Sequence, residues 1–409
     1  MAEWQLPENF KFVDLFSGIG GFHQTLKKIG GRKGVCVFAS EIDPDAIATY
    51  KKNYGIDSGI NIRDVKECDI PAHDVLCAGF PCQSFSNAGR KFGFKDKTRG
   101  TLFFEIVRIL SHHRTPFIIL ENVKNIVSHE HGNTWRVITE SLMELGYRLT
   151  ERPLFLSPHQ FGIPQTRERV IILGKFDPEH VDVPLNIRFD NLKKKDDCSI
   201  YSILDPAECD PRYALTDYQK MVLTAWDEFH GQLGNKIIGF PVWVDFFHSE
   251  IDESWLDWKK VYVRKNVRLY SENSDFIEKW LKKHDNLKAF TPTHRKFEWQ
   301  AGPNVPSVWD AVVQFRESGI RVKRPTCFQA LVAMVQTPVI GRYRRRLSVR
   351  EAARLQSFPE DFKPCGNVHQ AYKQFGNCVN VEVIRHAAIK LFSEKPAMGQ
   401  SEFNFNGHG

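Results

Sequence analysis

Cys82 lies in the segment GFPCQSFS, directly after Pro81 and before small polar residues. The proline holds the chain extended, so the thiol is positioned and accessible rather than a small buried hydrophobe. A thiolate in that setting is a nucleophile. Glu121 and Asn122 end the apolar run in FIILENV. A carboxyl at the end of a buried strand can keep a raised pKa and donate a proton. Arg167 and Arg169, in QTRERV, enter the next apolar run and come within reach of the same pocket. A separate signal is DLFSGIGGF at 14–22, with Glu41 after the next apolar run. Glycines after a first strand let the backbone turn tightly and approach a ligand, and a later carboxylate can accept hydrogen bonds from ribose hydroxyls. The third glycine of a dinucleotide fingerprint is missing, because His23 stands there. Together these residues point to a nucleoside cofactor beside a nucleophilic thiol and a proton donor.

The elements that must hold them can be read from the pattern. Apolar runs at 10–16, 35–40, 74–78, 117–120 and 169–173 predict strands, and 22–29, 102–112 and 134–145 predict helices. Strand–helix alternation with continuously apolar strands predicts a doubly wound α/β fold with a mostly parallel sheet covered on both faces. The candidate residues all follow strands, where such sheets place ligands. From about 178 to 341 the rhythm is lost, although seven of the nine tryptophans lie there. That stretch predicts a second, smaller domain of mixed or β-rich structure. Ser348 with Glu351 three residues on predicts a capping box that opens a helix, and 381–392 predicts the last helix.

A chain of 409 residues is long enough for two or three domains. With 42% hydrophobic and 26% charged residues it is globular in composition, which excludes collagen, coiled coil and disorder. No apolar run approaches a membrane span, and residues 1–11 do not read as a signal peptide, so a cytoplasmic protein is expected. The nine cysteines form no CxxC pair, which argues against a disulfide framework or a structural metal; no metal is expected. The net charge is +7. It is concentrated in Arg90, Lys91, Lys95, Lys97 and Arg99, and again in Arg342, Arg344, Arg345, Arg346 and Arg350. Clustered basic charge fits a polyanionic partner or a solvated face. Four arginines in the five-residue window 342–346 read as too charged for a core.

The blocks FVDLFSGIGGF, GFPCQSFS, RGTLFFEIVRIL, ENVKN, FGIPQTRERV, RRLSVREAARLQSFPEDF and QAYKQFGNCV, in this order, resemble the DNA (cytosine-5)-methyltransferases of bacterial restriction–modification systems. They cover most of 10–180 and 345–395. The resemblance implies a methyltransferase fold using S-adenosyl-L-methionine, with S-adenosyl-L-homocysteine as product. It divides the chain into a catalytic and cofactor-binding domain at 1–178, a target-recognition domain at 179–341, a connecting segment at 342–365 and a return to the catalytic domain at 366–409. It implies Cys82 as the nucleophile toward cytosine C6, Glu121 as the group acting at N3, Arg169 on the O2 edge, Asn122 ordering the pocket, and Arg167 among the catalytic residues. For the cofactor it implies Phe16, Gly18, Ile19 and Gly20 around the methionine part and Glu41 on the ribose. Ile42, Asp64 and Val65 would lie at the adenine, with Gly79, Pro81, Leu102, Asn377 and Val379 lining the site. Cys378 departs from the serine often found there and is small enough to be tolerated. The implied partner is double-stranded DNA with the target base flipped out, contacted by Gln83, Ser86, Arg90, Arg99, Arg342, Arg344, Arg345 and Arg346. A monomer associated with the nucleoid and functionally paired with a restriction endonuclease is implied as well. A tRNA cytosine-5 methyltransferase of the same fold is the alternative. Those relatives carry Pro-Pro before the cysteine and a Cys-Phe-Thr block, where this chain has Phe80-Pro81 and Cys327-Phe328-Gln329.

Overall fold

The structure is a computed structural model and describes residues 6–81, 102–331 and 337–394. The first half of the chain builds β1 (Asn9–Leu15), α1 (Gly21–Leu26), β2 (Lys33–Ser40), α2 (Pro44–Tyr54), β3 (Val75–Gly79), α3 (Leu102–His113) and β4 (Phe117–Val123). α4 (Asn133–Glu144), β5 (Tyr147–Leu149), β6 (Leu154–Leu156), β7 (Gln165–Thr166) and β8 (Arg169–Phe176) follow. The main sheet runs β2-β1-β3-β4-β8-β5, with β6 also on β8. β2, β1, β3 and β4 are parallel, and β8 turns back antiparallel to β4.

The continuous apolar runs follow from burial on both faces. Val13, Leu76, Ile118, Leu120 and Ile172 pack with α3 and α4 on one face. Phe12, Cys77, Ile119, Ile171 and Leu173 alternate with them and pack with α1 on the other. The second face is completed from the far end of the chain by α10 (Val381–Phe392), whose Val383, Ile384, Ala387 and Leu391 share that cluster.

Between these parts lie α5 (Asp217–Leu233), β9 (Val242–Trp243), α6 (Asp257–Glu272), α7 (Ser274–Lys283), β10 (Lys296–Gln300), β11 (Val312–Arg316), β12 (Gly319–Lys323) and β13 (Phe328–Gln329). β14 (Val339–Ile340), β15 (Arg345–Arg346), α8 (Val349–Leu355) and α9 (Val368–Asn377) complete the chain. A second sheet runs β15-β14-β11-β12-β10-β9. Trp226, Trp280 and Trp299 are buried against it with Phe229 and Phe297. This region contains three helices of 10 to 17 residues, more helix than a β-rich reading allows. The reason is visible in α6, which buries only Val263, Asn266 and Leu269 and so shows almost no apolar stripe. The capping box is present: Ser348 Oγ accepts from Glu351 N–H, and Glu351 Oε2 accepts from Ser348 N–H. Among the described residues no helix is long and apolar enough to cross a membrane.

Candidate active site

The carboxyl ends of β1, β2, β3 and β4 open into one cavity of about 460 Å³. After β1 the backbone enters the left-handed region at Phe16 and again at Gly20, which has φ +85°. The Tyr54 ring occupies the place of a Cβ on Gly20, and its hydroxyl donates to Gly20 O at 3.0 Å. Gly21 is needed for space: a Cβ there would meet the Cys378 and Val379 side chains. The loop is fastened to β2 through Glu41. One of its carboxylate oxygens accepts from Gly18 N–H (2.8 Å), the other from Ile42 N–H (2.8 Å) and Asp43 N–H (2.9 Å). Ile42 beside it is 71% exposed, an apolar side chain left uncovered at the cavity rim.

The opposite wall carries the ionisable groups. Glu121 pairs in register with Gly79 across β3 and β4. Burial pushes its carboxyl pKa above the ordinary value, while Arg167 and Arg169 pull the other way. Arg169 Nε stands 3.2 Å from Glu121 Oε1 without hydrogen-bond alignment, so Oε1 is buried with no donor among the described residues. Asn122 is buried; its Nδ2 donates to Phe80 O (2.9 Å), and its Oδ1 accepts from Val123 N–H. It thereby fixes the chain just before Pro81. Arg167 is buried, and burial with the neighbouring Arg169 brings its pKa down to about 10. Its guanidinium donates to Gly376 O (2.7 Å) and Cys378 O (3.0 Å), so it fastens the C-terminal segment to the cavity wall. A water-sized void of about 10 Å³ lies behind Glu121, bounded by Val379 and Asn380.

The expected residues divide clearly. Phe16, Gly18, Ile19, Glu41, Ile42, Gly79, Pro81, Leu102, Glu121, Asn122, Arg167, Arg169 and Asn377 line the cavity together. Gly20 and Val379 stand behind its wall, packed on Tyr54 and on Gly21. Asp64 and Val65 are not among the lining residues; Asp64 ends a short exposed turn, Ile62–Asp64. Cys82, Gln83, Ser86, Arg90 and Arg99 lie outside the described residues. Sequence reasoning missed Asp43, Lys373 and Gln374 at the cavity. Asp43 before Pro44 is a helix-capping signal that was there to be read; it caps α2 and accepts from Lys373 Nζ at 2.9 Å.

The basic window separates into two kinds of residue. Arg342 and Arg344 are exposed; Arg344 lies 4.6 Å from the Trp309 ring centroid. Arg346 is half-buried and donates to Arg212 O. Arg345 corrects the sequence expectation. It is buried, 6% exposed, and forms a two-pronged pair with the fully buried Glu351 at 2.8 and 2.7 Å. It also donates to Asp205 O. Both terminal nitrogens of this guanidinium are engaged inside the protein and its Nε is buried, so it presents no donor to a phosphate, and a window rich in arginine does place one in the core. Among the described residues no group of three His, Cys, Asp or Glu side chains is placed to hold a metal ion.

The cavity thus offers an acceptor carboxylate, Glu41, and a buried carboxyl, Glu121, whose pKa burial raises beside two guanidiniums, with Pro81 also on its lining. A family model described as C-5 cytosine-specific DNA methylase matches residues 10–393. Type II methyltransferase M.AluI of Cellulosimicrobium cellulans is 34% identical, over 92% of this chain and 91% of that protein. Type II methyltransferase M.HpaII of Haemophilus parainfluenzae is 30% identical, over 95% and 91%. Among solved structures, a DNMT2 mutant of Spodoptera frugiperda superposes with a TM-score of 0.53 at 19% identity, covering 94% of this chain and 99% of that one. That last likeness is one of fold.

Proposed function

The chain belongs to the C-5 cytosine-specific DNA methylase family, the DNA (cytosine-5)-methyltransferases, and on that premise we propose that it methylates C5 of one cytosine in a specific sequence of duplex DNA. The observation that carries the reading is Glu121. A buried carboxyl with a raised pKa and an oxygen lacking a donor sits on the wall of the same cavity as Glu41.

The cavity fits S-adenosyl-L-methionine in volume and in donor set, since pockets for small ligands span about 300–1,000 Å³. Gly18 and Ile19 would border its methionine part, Glu41 would accept from the ribose hydroxyls, and Ile42 would cover the adenine. When bound, the group supplies an electrophilic methyl. The chain's own residues do the rest. Cytosine C5 is a weak nucleophile, and addition of the Cys82 thiolate to C6 makes C5 enamine-like. Charge then develops at N3, where the Glu121 carboxyl delivers its proton. Arg169 holds the O2 edge, and Asn122 keeps the Phe80–Pro81 approach in place through Phe80 O. Loss of the C5 proton, expulsion of the Cys82 thiolate from C6 and return of the N3 proton to the Glu121 carboxylate release the methylated base. The target must leave the stack first, at a cost of a few kcal/mol.

In this reading residues 1–178 and 366–409 perform the chemistry and 179–341 select the sequence. The protein acts as a cytoplasmic monomer that protects host DNA from a cognate endonuclease. The test is trapping. Wild-type protein is expected to form a covalent complex with 5-fluorocytosine duplex DNA, and Cys82→Ala to bind S-adenosyl-L-methionine yet form none. Plasmid DNA from a host expressing the protein is expected to show one methylated sequence context by bisulfite sequencing. Methyl transfer by the alanine variant would overturn the mechanism.

A further inference from the structure

The second sheet has one apolar face; the other is charged across β10, β12 and the end of β11, and apolar at Val312 and Ile340, which pack into a separate buried cluster. Phe297, Trp299, Val313, Ile320 and Val322 point into the core. The alternate positions carry Lys296 and Glu298 on β10, Arg321 and Lys323 on β12, and Gln314 and Arg316 on β11. The register sets Glu298 opposite Arg321, Arg321 opposite Gln314, and Lys323 opposite Gln300. Four cations therefore share one carboxylate. Arg316 and Arg321 both donate to Glu298 Oε2, at 2.9 and 2.8 Å. Lys296 lies over the Trp243 ring, and Lys323 has neither an ion pair nor a hydrogen bond among the described residues. These side chains are half-buried, which makes the excess positive charge expensive. Burial first, then Arg321, brings the Lys323 pKa down to about 8, and burial lowers that of Lys296. Nε of Arg316 and Nε1 of Trp243 have no acceptor among the described residues.

A surface with surplus donors and surplus positive charge is complementary to an anion. The row from Lys296 to the Lys323 level spans four residues of strand, about 13 Å. That is too long for a single phosphate and comparable to several phosphates along a nucleic-acid strand, which follow at about 3.4 Å of axial rise. We propose that this sheet face, with Lys323 at one end of its row, grips the phosphodiester backbone of the duplex and holds register without reading sequence. The proposal rests on the reading of the chain as a DNA methyltransferase.

Binding of the full-length protein to random duplex DNA, followed by fluorescence anisotropy at several salt concentrations, tests it. Lys323→Gln is expected to lower the slope of log K against log salt by about 0.9, one phosphate contact, and to weaken binding about eightfold at 0.1 M salt. The loss should be the same for methylatable and random duplexes, and Lys323→Arg should restore the slope. An unchanged slope and affinity in Lys323→Gln overturns the proposal, as does a loss confined to the methylated sequence. If Lys323→Gln fails to fold, acetylation of the wild-type protein decides. Protection of Lys323 by random duplex supports the grip, and equal labelling with and without duplex refutes it. The two readings fail differently. A wild type that methylates duplex while Lys323→Gln binds it normally removes only the grip; a wild type that neither binds nor methylates any duplex removes both.

Discussion

Replacing Arg345 with methionine tests whether this arginine is structural while the exposed arginines of the same window are expected to face DNA. The guanidinium makes two bonds to Glu351 and one to each of the Asp205 and Arg346 carbonyls. Glu351 also accepts from Ser348 N–H (2.7 Å) and Asp205 N–H (2.8 Å). With the arginine gone, a fully buried carboxylate keeps two backbone donors and loses its only counter-charge among the described residues. Breaking one side of a buried pair costs about 3–5 kcal/mol, and we predict a loss in that range for Arg345→Met. Arg344→Gln, at an exposed position, is predicted to stay within about 0.5 kcal/mol of wild type. Urea titrations followed by tryptophan fluorescence measure both, and salt-dependent anisotropy with random duplex gives the second axis. The folded fraction of Arg345→Met should keep the wild-type salt slope, whereas Arg342→Gln with Arg344→Gln should lower it. A destabilisation of Arg345→Met below about 1 kcal/mol, together with a reduced salt slope, would refute the argument, because the guanidinium would then be facing phosphate.

Arg167→Lys keeps a charge but holds at most one of the two carbonyls, Gly376 O and Cys378 O. Each charge-assisted bond is worth roughly 1.5–3 kcal/mol, so we expect a clear drop in melting temperature and a rise in KM for the methyl donor larger than the fall in kcat; equal KM values would count against the fastening role. His73 is buried, and burial lowers its pKa to about 4 from 6.5, with its ring nitrogens on Pro71 O and Thr115 Oγ1. Between those values the unfolded chain binds the extra proton, so this stability is full above about pH 6.5 and is lost as the pH falls toward 4. Asp14 and Glu121, whose carboxyl pKa values burial raises, act with the opposite sign, so the difference between wild type and His73→Gln isolates the histidine. That difference is expected to shift by about 2 kcal/mol against wild type between pH 8 and pH 5 in urea titrations, and a pH-independent difference would contradict the assignment.

The main sheet was legible because its strands are buried on both faces, so FIIL and VIIL admit no surface reading. Glu121 was legible for a related reason, as a carboxylate near the end of such a run; Glu41 follows the partly buried edge strand β2 and was legible from its place after the glycine-rich turn. Arg345 was not. Composition marks it as surface, and its partner Glu351 was already accounted for as half of a capping box; one carboxylate serves both the helix start and the arginine. The helix α6 was obscured because it buries a narrow stripe of three residues. KFEWQ and GIRVK do alternate in the sequence, but five residues of alternation are too few to stand out without a neighbouring strand. Their charged face became visible only when the register placed Glu298 beside Arg321.

The cavity is assembled from both extremities of the described chain, and this determines when it can exist during synthesis. Thr25 Oγ1 donates to Val381 O across 356 residues, and Gly21 has room only for the backbone that arrives with Cys378 and Val379. Closing a loop of that length costs roughly 5 kcal/mol of chain entropy, which is recovered only when α10 docks on α1. A ribosome that has delivered the whole loop after β1 has therefore not yet delivered the closed cavity. A transcript broken before the codons for α9 and α10 leaves one face of the sheet covered only in part by α1, without Val383, Ile384, Ala387 and Leu391. Such a fragment also lacks Gly376, Asn377 and Cys378 of the cavity lining, so truncation there is expected to abolish activity rather than weaken it.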